Sequence, residues 1–341
     1  MKNTLFLDAA FSKPVSRPPV WFMRQAGRYM PEYMAIKEKY TFLEMCKTPE
    51  IAADVTMLPV DILDIDAAIL FCDILVVGEA MGGDLSFEKG VGPIFSNPVR
   101  TAADIEKLLE PDTDEAFDYV YKAIHEVLKR LDGKIPLIGF AGAPFTVMSY
   151  LVEGGSTREF KKSKALIHNH PKLAHKLLDK IARVTVNYLN GQIKAGVQAV
   201  QLFDSWAHAL SFEDFNEFAH RYNDQIIQGL NRTGVPVIYF CRGSSYFAPI
   251  MAKSKPDVIS IDWNADILSL KQSLPSNIAV QGNLDPTILY ANKPVIKERV
   301  EHVLNRMRNE NGFIFNLGHG ISPDMEVEKV KYAVDTVKNF R

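Results

Sequence analysis

Six side chains in this sequence have the types and spacing to handle an anionic ligand. Arg24 and Arg28 stand four residues apart in MRQAGRY, bracketing Gln25, Ala26 and Gly27. Asp73 closes the run AAILFCD, Tyr150 lies in FTVMSYLV, Ser205 follows QLFD, and His319 sits between Gly318 and Gly320. Guanidinium forks grip carboxylates bidentately, and each such charge-assisted hydrogen bond is worth about 1.5–3 kcal/mol. An ionised aspartate only accepts hydrogen bonds, so Asp73 offers a place for N–H donors. The set is cationic and hydrogen-bonding. No GxSxG or HExxH accompanies it, which removes the common hydrolase elbow and the zinc-protease helix. The chemistry it suits is recognition of a small acidic molecule, with no resident metal or nucleotide cofactor.

Each residue also has a structural reading. Arg24 can pair with a structural carboxylate. Asp73 and Ser205 can cap the helices that come after them. Tyr150, in its apolar setting, can be core. Asp204 and His208 can pair with each other one turn apart. The glycines around His319 let backbone approach a ligand. The basic run Arg158, Lys161, Lys162 and Lys164 reads as a solvated helix face.

The elements that must position these residues are eight short apolar runs. They are 20–24 (VWFMR), 67–71 (AAILF), 136–140 (PLIGF), 199–203 (AVQLF), 237–241 (VIYFC), 258–262 (VISID), 278–282 (IAVQG) and 313–317 (FIFNL). They are nearly continuous rather than alternating, as parallel strands buried on both faces are. Amphipathic segments at 171–195, 212–230 and 294–308 lie between them. Eight such units predict an α/β protein of the (β/α)8 TIM-barrel type, whose site lies at the carboxyl ends of the strands. That rule collects Arg24, Gln25, Arg28, Asp73, Thr146, Tyr150, Asp204, Ser205, His208, Arg242, Asp262, Asn283, Asn316 and His319.

A barrel takes about 250 residues, so 341 leave room for an N-terminal arm and loop insertions. The clearest insertion is 77–98, a hairpin or loop with Gly78, Gly82, Gly83, Gly90 and Gly92. No linker divides the chain, which predicts one domain over 1–341. An open doubly wound sheet is the other architecture, but no GxGxxG or GxxxxGK[ST] follows any strand.

Composition narrows the function further. Hydrophobic residues are 47% and charged residues 23%, which excludes a disordered or fibrous chain. With 39 Lys+Arg against 41 Asp+Glu, the net charge of −2 argues against nucleic-acid or membrane-surface partners. The three cysteines, Cys46, Cys72 and Cys241, form no CxxC and suit a reducing cytoplasm. The N-terminus lacks a signal-peptide pattern, and the most apolar stretch is too short and too broken by Pro and Gly to span a bilayer.

PVWFMRQAGRYMPEY at 19–33 closely resembles the N-terminal signature of the uroporphyrinogen decarboxylase family. GFAGAPFTVMSYLVEGGST at 139–157 resembles its second signature, and LFCDILVV, QLFDSWA, QGNLDP and FNLGHGISPD occur in the family's order. The resemblance implies a distorted (β/α)8 barrel and a homodimer. It implies cofactor-independent conversion of the four acetate side chains of uroporphyrinogen III to methyls, giving coproporphyrinogen III. The family's functional residues fall on Arg24, Arg28, Asp73, Tyr150, Ser205 and His319. Arg24 is then an acetate binder and a candidate general acid, and Asp73 a candidate acceptor of pyrrole N–H groups. Arg28 and His319 are expected to bind other carboxylates, Tyr150 and Ser205 to hold the leaving acetate, and Met23 and Phe203 to pack on the macrocycle. Many members carry an arginine where this chain has Lys37, which keeps the charge without the fork. Two rivals share the scaffold. A corrinoid-linked zinc methyltransferase needs His-x-Cys where this chain has Tyr239-Phe240-Cys241, and a later cysteine that is missing. A non-catalytic tetrapyrrole binder would not need the arginines.

Overall fold

The computed structural model describes residues 2–88 and 91–340. Seven parallel strands form one curled sheet. They are β1 (Ala68–Ile69), β4 (Leu137–Gly142), β5 (Ala199–Asp204), β6 (Val237–Cys241), β7 (Val258–Ser260), β8 (Ala279–Leu284) and β9 (Phe313–Leu317), paired in that order. The gap between β9 and β1 is closed by the chain around Val20. The Phe315 N–H donates to the Pro19 carbonyl and the Asp66 N–H to the Val20 carbonyl, both at 2.8 Å. The first predicted strand, 20–24, thus shrinks to one parallel bridge, Val20 to Phe315. A tight turn cuts it short: the Gln25 N–H bonds back to the Phe22 carbonyl, and Arg24 is left-handed with φ 61°. The run 67–71 keeps only Ala68–Ile69, while 237–241 and 313–317 are strands over their full length.

The predicted helices are also present. Pro171–Ala195 is one continuous helix, with Pro171 at its first turn and Gly196 as a left-handed cap. The segment 212–230 divides into Phe212–Asp214, a wide turn at Phe215–His220 and Arg221–Gly229. The segment 294–308 becomes Lys293–Arg306, capped by the Asn292 side chain. The insertion at 77–98 starts within the helix Val76–Ala80 and becomes the antiparallel hairpin β2 (Leu85–Glu88) and β3 (Gly92–Phe95). Gly90 lies outside the described residues.

Alternation along the strands separates two apolar regions. One fills the barrel with Trp21, Met23, Ile138, Ile238, Phe240, Val258 and Ile314, and the helix Leu5–Ala10 plugs it with Phe6, Ala9 and Ala10. The other packs helices on the outside. A polar layer crosses the barrel: Trp21 Nε1–H donates to Gln281 Oε1 at 2.9 Å, and Gln281 Nε2–H to Ser260 Oγ at 3.1 Å. This layer separates the plugged end from the mouth.

Closure rests on Asp66. It is 3% exposed, takes both arms of the Arg17 guanidinium at 2.7 Å, and accepts the Val20 N–H at 2.8 Å. Asp66→Ala strands a half-buried arginine and frees the segment that leads into Arg24. We expect it to cost about 3 kcal/mol of unfolding free energy, read as a lowered urea midpoint.

Candidate active site

Arg24 leaves the barrel where the chain turns. The Met23 N–H donates to Asn316 Oδ1 at 3.1 Å, and the Ile321 N–H to the Met23 carbonyl at 3.0 Å. These two bonds clamp the Arg24 segment to the loop after β9. Gly320 makes room for the arginine: a Cβ there would lie 2.5 Å from Arg24 Cδ. Gly318 does the same for the Trp263 backbone, at 2.6 Å. The glycines around His319 therefore serve the chain's own packing, not the approach of a ligand as their placement suggests. Arg24 is open to solvent, but protein surrounds it, and this burial lowers its pKa from the ordinary arginine value. The Arg28 and Arg242 charges act in the same direction, against Tyr150.

Asp73 stands apart from this cationic group. Its Oδ1 accepts the Leu75 N–H at 2.7 Å, an Asx turn leading into the helix Val76–Ala80. Leu75 is the N-cap of that helix and no side chain caps it, so Asp73 does not take the capping role the sequence allowed, and its Oδ2 is left available. Burial pushes the Asp73 pKa up to about 6, with the Glu79 carboxylate adding to it and the Leu75 N–H opposing. No arginine or lysine side chain pairs with it among the described residues. Tyr150, 8% exposed on the helix Pro144–Glu153, lies in the electrostatic reach of both Asp73 and Arg24. Its ring packs on Trp206 at 5.9 Å, and burial raises its pKa, so its hydroxyl stays protonated.

The floor of the mouth is aromatic. Phe140, Phe203 and Phe240 meet edge to face at 5.5 and 5.6 Å, and Phe240 meets the His319 ring at 6.0 Å. His319 is half-buried, and its pKa falls to about 4 through burial first, then the charges of Arg24 and Arg242. It is a neutral imidazole at pH 7 in the unliganded protein. Ser205 is half-buried at the end of β5; its carbonyl accepts from His208 Nδ1 at 3.1 Å, and its hydroxyl has no protein partner among the described residues.

The structure thus gathers Arg24, Arg28, Tyr150 and His319 into one electrostatic group, with Asp73 linked to it through Tyr150. Phe203 lies on the floor. Other expectations change. Gln25 is fully buried; its amide donates to the Ala67 carbonyl and accepts the Phe22 N–H, so it braces the turn instead of meeting a ligand. Met23 is 4% exposed inside the barrel, beneath the floor. Lys37 is exposed at the end of the helix Pro31–Lys37 and does not join the group. Asp204 and His208 do not pair, because Asp204 accepts from Thr146 Oγ1 and Asn223 Nδ2, each at 2.8 Å. In the basic run, Lys164 is half-buried and its charge reaches His208. Arg242 is the residue that the sequence left undistinguished; only its place just after β6 pointed to it.

The zinc-site reading also meets the geometry. Tyr239 and Cys241 face the outer core, with Tyr239 Oη accepting from Asn223 Nδ2 at 2.6 Å and Cys241 buried. Among the described residues no three His, Cys, Asp or Glu side chains converge as a metal set.

The sequence model of the family described as Uroporphyrinogen decarboxylase (URO-D) matches residues 1–340. The chain belongs to the uroporphyrinogen decarboxylase family. A uroporphyrinogen decarboxylase of Trichlorobacter lovleyi is 49% identical, over 98% of each chain. That of Geobacter sulfurreducens is 48% identical over 98% of each, and that of Protochlamydia amoebophila 48%, over 99% of this chain and 92% of its own. The activity is therefore decarboxylation of uroporphyrinogen in tetrapyrrole biosynthesis. A methyltransferase from Methanosarcina mazei shares the fold, with a TM-score of 0.82 at 19% identity over 99% of this chain and 98% of that one. At that identity the likeness is one of architecture. No helix among the described residues is long and apolar enough to cross a membrane.

The His319 environment makes a direct prediction. Its ring resonances in the unliganded decarboxylase should titrate with a midpoint near 4. A bound polycarboxylate should move that midpoint upward, because an adjacent anion favours the imidazolium. NMR titration of the two states measures both.

Proposed function

We propose that the chain converts uroporphyrinogen III to coproporphyrinogen III by four decarboxylations, using its own side chains and no metal or organic cofactor. The observation that carries this reading is the separation of charge at the mouth. Arg24, Arg28 and Arg242 have no carboxylate partner among the described residues, and Asp73 has no cation. Unpaired cations on one side and a lone anion on the other match a ring whose edge is all carboxylates and whose centre is all N–H.

In this reading the pyrrole N–H groups converge on Asp73. Its raised pKa means that the carboxylate is under-solvated before substrate arrives, and N–H donors supply what water does not. Arg24 takes the reacting acetate, with Tyr150 and Ser205 donating hydroxyl hydrogens to it. Arg28 binds a further carboxylate, and His319 binds another as a neutral donor or after taking up a proton. Phe203 supports one face of the macrocycle. Lys37, outside the group, adds at most a general attraction.

The reaction needs an electron sink. Protonation of the pyrrole carbon next to the one that bears the acetate gives an iminium-like ring cation. The bond between the methylene and the carboxylate then breaks, CO2 leaves, and its electron pair neutralises the ring. The exocyclic methylene takes a proton to become a methyl, and the ring proton departs, so each acetate consumes one proton overall. The Asp73 anion stabilises the cationic stage, where preorganised charge acts strongly. Arg24 is the candidate donor, because burial and two neighbouring arginines all ease its proton loss.

The proposal extends to one barrel domain over 1–341, a homodimer and a cytoplasmic location. The three free cysteines support a reducing compartment. The dimer rests on the family alone.

Anaerobic incubation of chelator-treated protein with uroporphyrinogen III, resolved by carboxylate number, tests the reading. We expect seven-, six-, five- and four-carboxylate products in turn; unchanged substrate with folded protein overturns it. kcat/KM should fall as pH drops through about 6, because Asp73 gains a proton and loses its power to accept N–H groups. Asp73→Asn should lower kcat by about 10²-fold or more and flatten that acid limb.

A further inference from the structure

Arg242 stands at a junction in the mouth. The β5–β6 register pairs Phe203 with Phe240 and Asp204 with Cys241, so the next residues outward, Ser205 and Arg242, lie side by side on the rim. Gly243 comes next in a left-handed conformation with φ +78°, and a Cβ there would come within 3.1 Å of His208 Cβ. His208 is thus seated against the Arg242–Gly243 backbone. On the other side, the Phe240 ring two residues earlier meets His319 at 6.0 Å. Arg242 therefore springs from the strand end that backs both histidines.

Its charge is unspent. Arg242 is exposed and has no hydrogen-bonded or ion-paired partner among the described residues. The carboxylate level with it does not pair with it. Phe240 pairs with Ser260 across β6 and β7, which brings Asp262 level with Arg242. Asp262 is 1% exposed; its Oδ1 accepts Ser245 Oγ at 2.5 Å and the Asn264 N–H at 2.9 Å, and its Oδ2 is buried without a hydrogen-bond partner, so the exposed Arg242 forms no ion pair with it. His208 cannot replace the arginine as a donor. Its Nδ1–H is given to the Ser205 carbonyl, so neutral Nε2 carries a lone pair. Lys164 adds positive charge around His208. Arg242 also depresses the protonation of Arg24, His208 and His319 at once, which places its charge among all three.

We propose that Arg242 is a specificity-determining residue that grips the propionate next to the reacting acetate. The proposal rests on the assignment of Arg24 to that acetate. Each pyrrole of uroporphyrinogen carries an acetate and a propionate on adjacent carbons. Two unpaired arginines acting on one another across the same floor match such a pair of neighbouring carboxylates. The chemistry also favours the propionate as the lasting anchor. Acetates disappear one by one, so a grip on an acetate is lost as the reaction proceeds. A propionate flanks every acetate in all four rounds, so Arg242 has a propionate to grip each time a new ring enters.

The test uses Arg242→Met and Arg242→Lys, with uroporphyrinogen III as substrate and coproporphyrinogen III, which keeps only propionates, as inhibitor. We expect Arg242→Met to raise the KM for uroporphyrinogen and the Ki for coproporphyrinogen by the same factor, about tenfold to a hundredfold. kcat should move far less, and Arg242→Lys should recover part of the affinity. A raised KM with unchanged Ki would mean that Arg242 holds an acetate, and would overturn the proposal. Unchanged KM and Ki would overturn it too. If Arg242→Met fails to fold, the Ki of Arg242→Lys decides alone: a moderate rise supports the proposal and wild-type affinity refutes it. Failure of the parent reading is distinct, because it shows as wild-type protein that releases no CO2.

Discussion

Like-charge crowding at the barrel mouth is the constraint around which the site is organised. Arg24, Arg28 and Arg242 repel one another, and none has a carboxylate within ion-pair distance among the described residues. Such an arrangement costs stability in the unliganded protein. Burial lowers the pKa of Arg24 and brings that of His319 to about 4, and the crowded charges add to both. Elsewhere the chain neutralises its arginines readily, as Arg17 with Asp66 and Arg232 with Asp257 show. The mouth is different because the missing anions belong to the substrate. A ligand with a carboxylate rim relieves the repulsion as it binds, so strain in the free protein becomes selectivity for a polyanion.

The barrel holds the repelling groups in place by backbone hydrogen bonds, not by ion pairs. Met23 and Ile321 clamp the Arg24 segment to the β9 loop, and Gln25 braces its turn from below with both ends of its amide. These braces connect directly to barrel closure. The same short segment that bridges β9 and Asp66 becomes, four residues later, the arginine turn. Closure and catalysis thus share one piece of chain. A fault at Asp66 is expected to reach the site as well as the fold.

Asp73 faces the opposite problem. It is an anion held away from every available cation, and burial raises its pKa to about 6. A salt bridge to Arg24 would have been electrostatically simpler, but it would have consumed both groups. Tyr150 lies in the field of both as a neutral hydroxyl. Keeping the charges apart lets each meet its own part of the ring: N–H groups at the centre, carboxylates at the edge. The aromatic floor of Phe140, Phe203 and Phe240 supplies apolar contact beneath.

The sequence by itself determined the parallel strand runs, the strand-end rule and the principal polar residues, because all of these are local. Six of the eight continuous apolar runs are strands over most of their length, as buried parallel strands read. Residues at or beyond the carboxyl ends of such runs are carried toward the mouth, which is why Arg24, Asp73, Tyr150, Ser205 and His319 were all legible. Direction and partnership were not, because they depend on what packs from elsewhere in the chain. Gln25 reads like its arginine neighbours but turns inward, since the left-handed turn at Arg24 aims it at Ala67. The glycines beside His319 read as room for a ligand but are filled by Arg24 and the Trp263 backbone. Arg242 reads as one strand-end arginine among several. Only the register of β5 with β6 and β6 with β7 shows that it stands beside Ser205 and His208, with Asp262 level with it but buried and unpaired to it. A spacing can place a charge at the mouth, but whether that charge is already spent is decided by residues far away in the sequence.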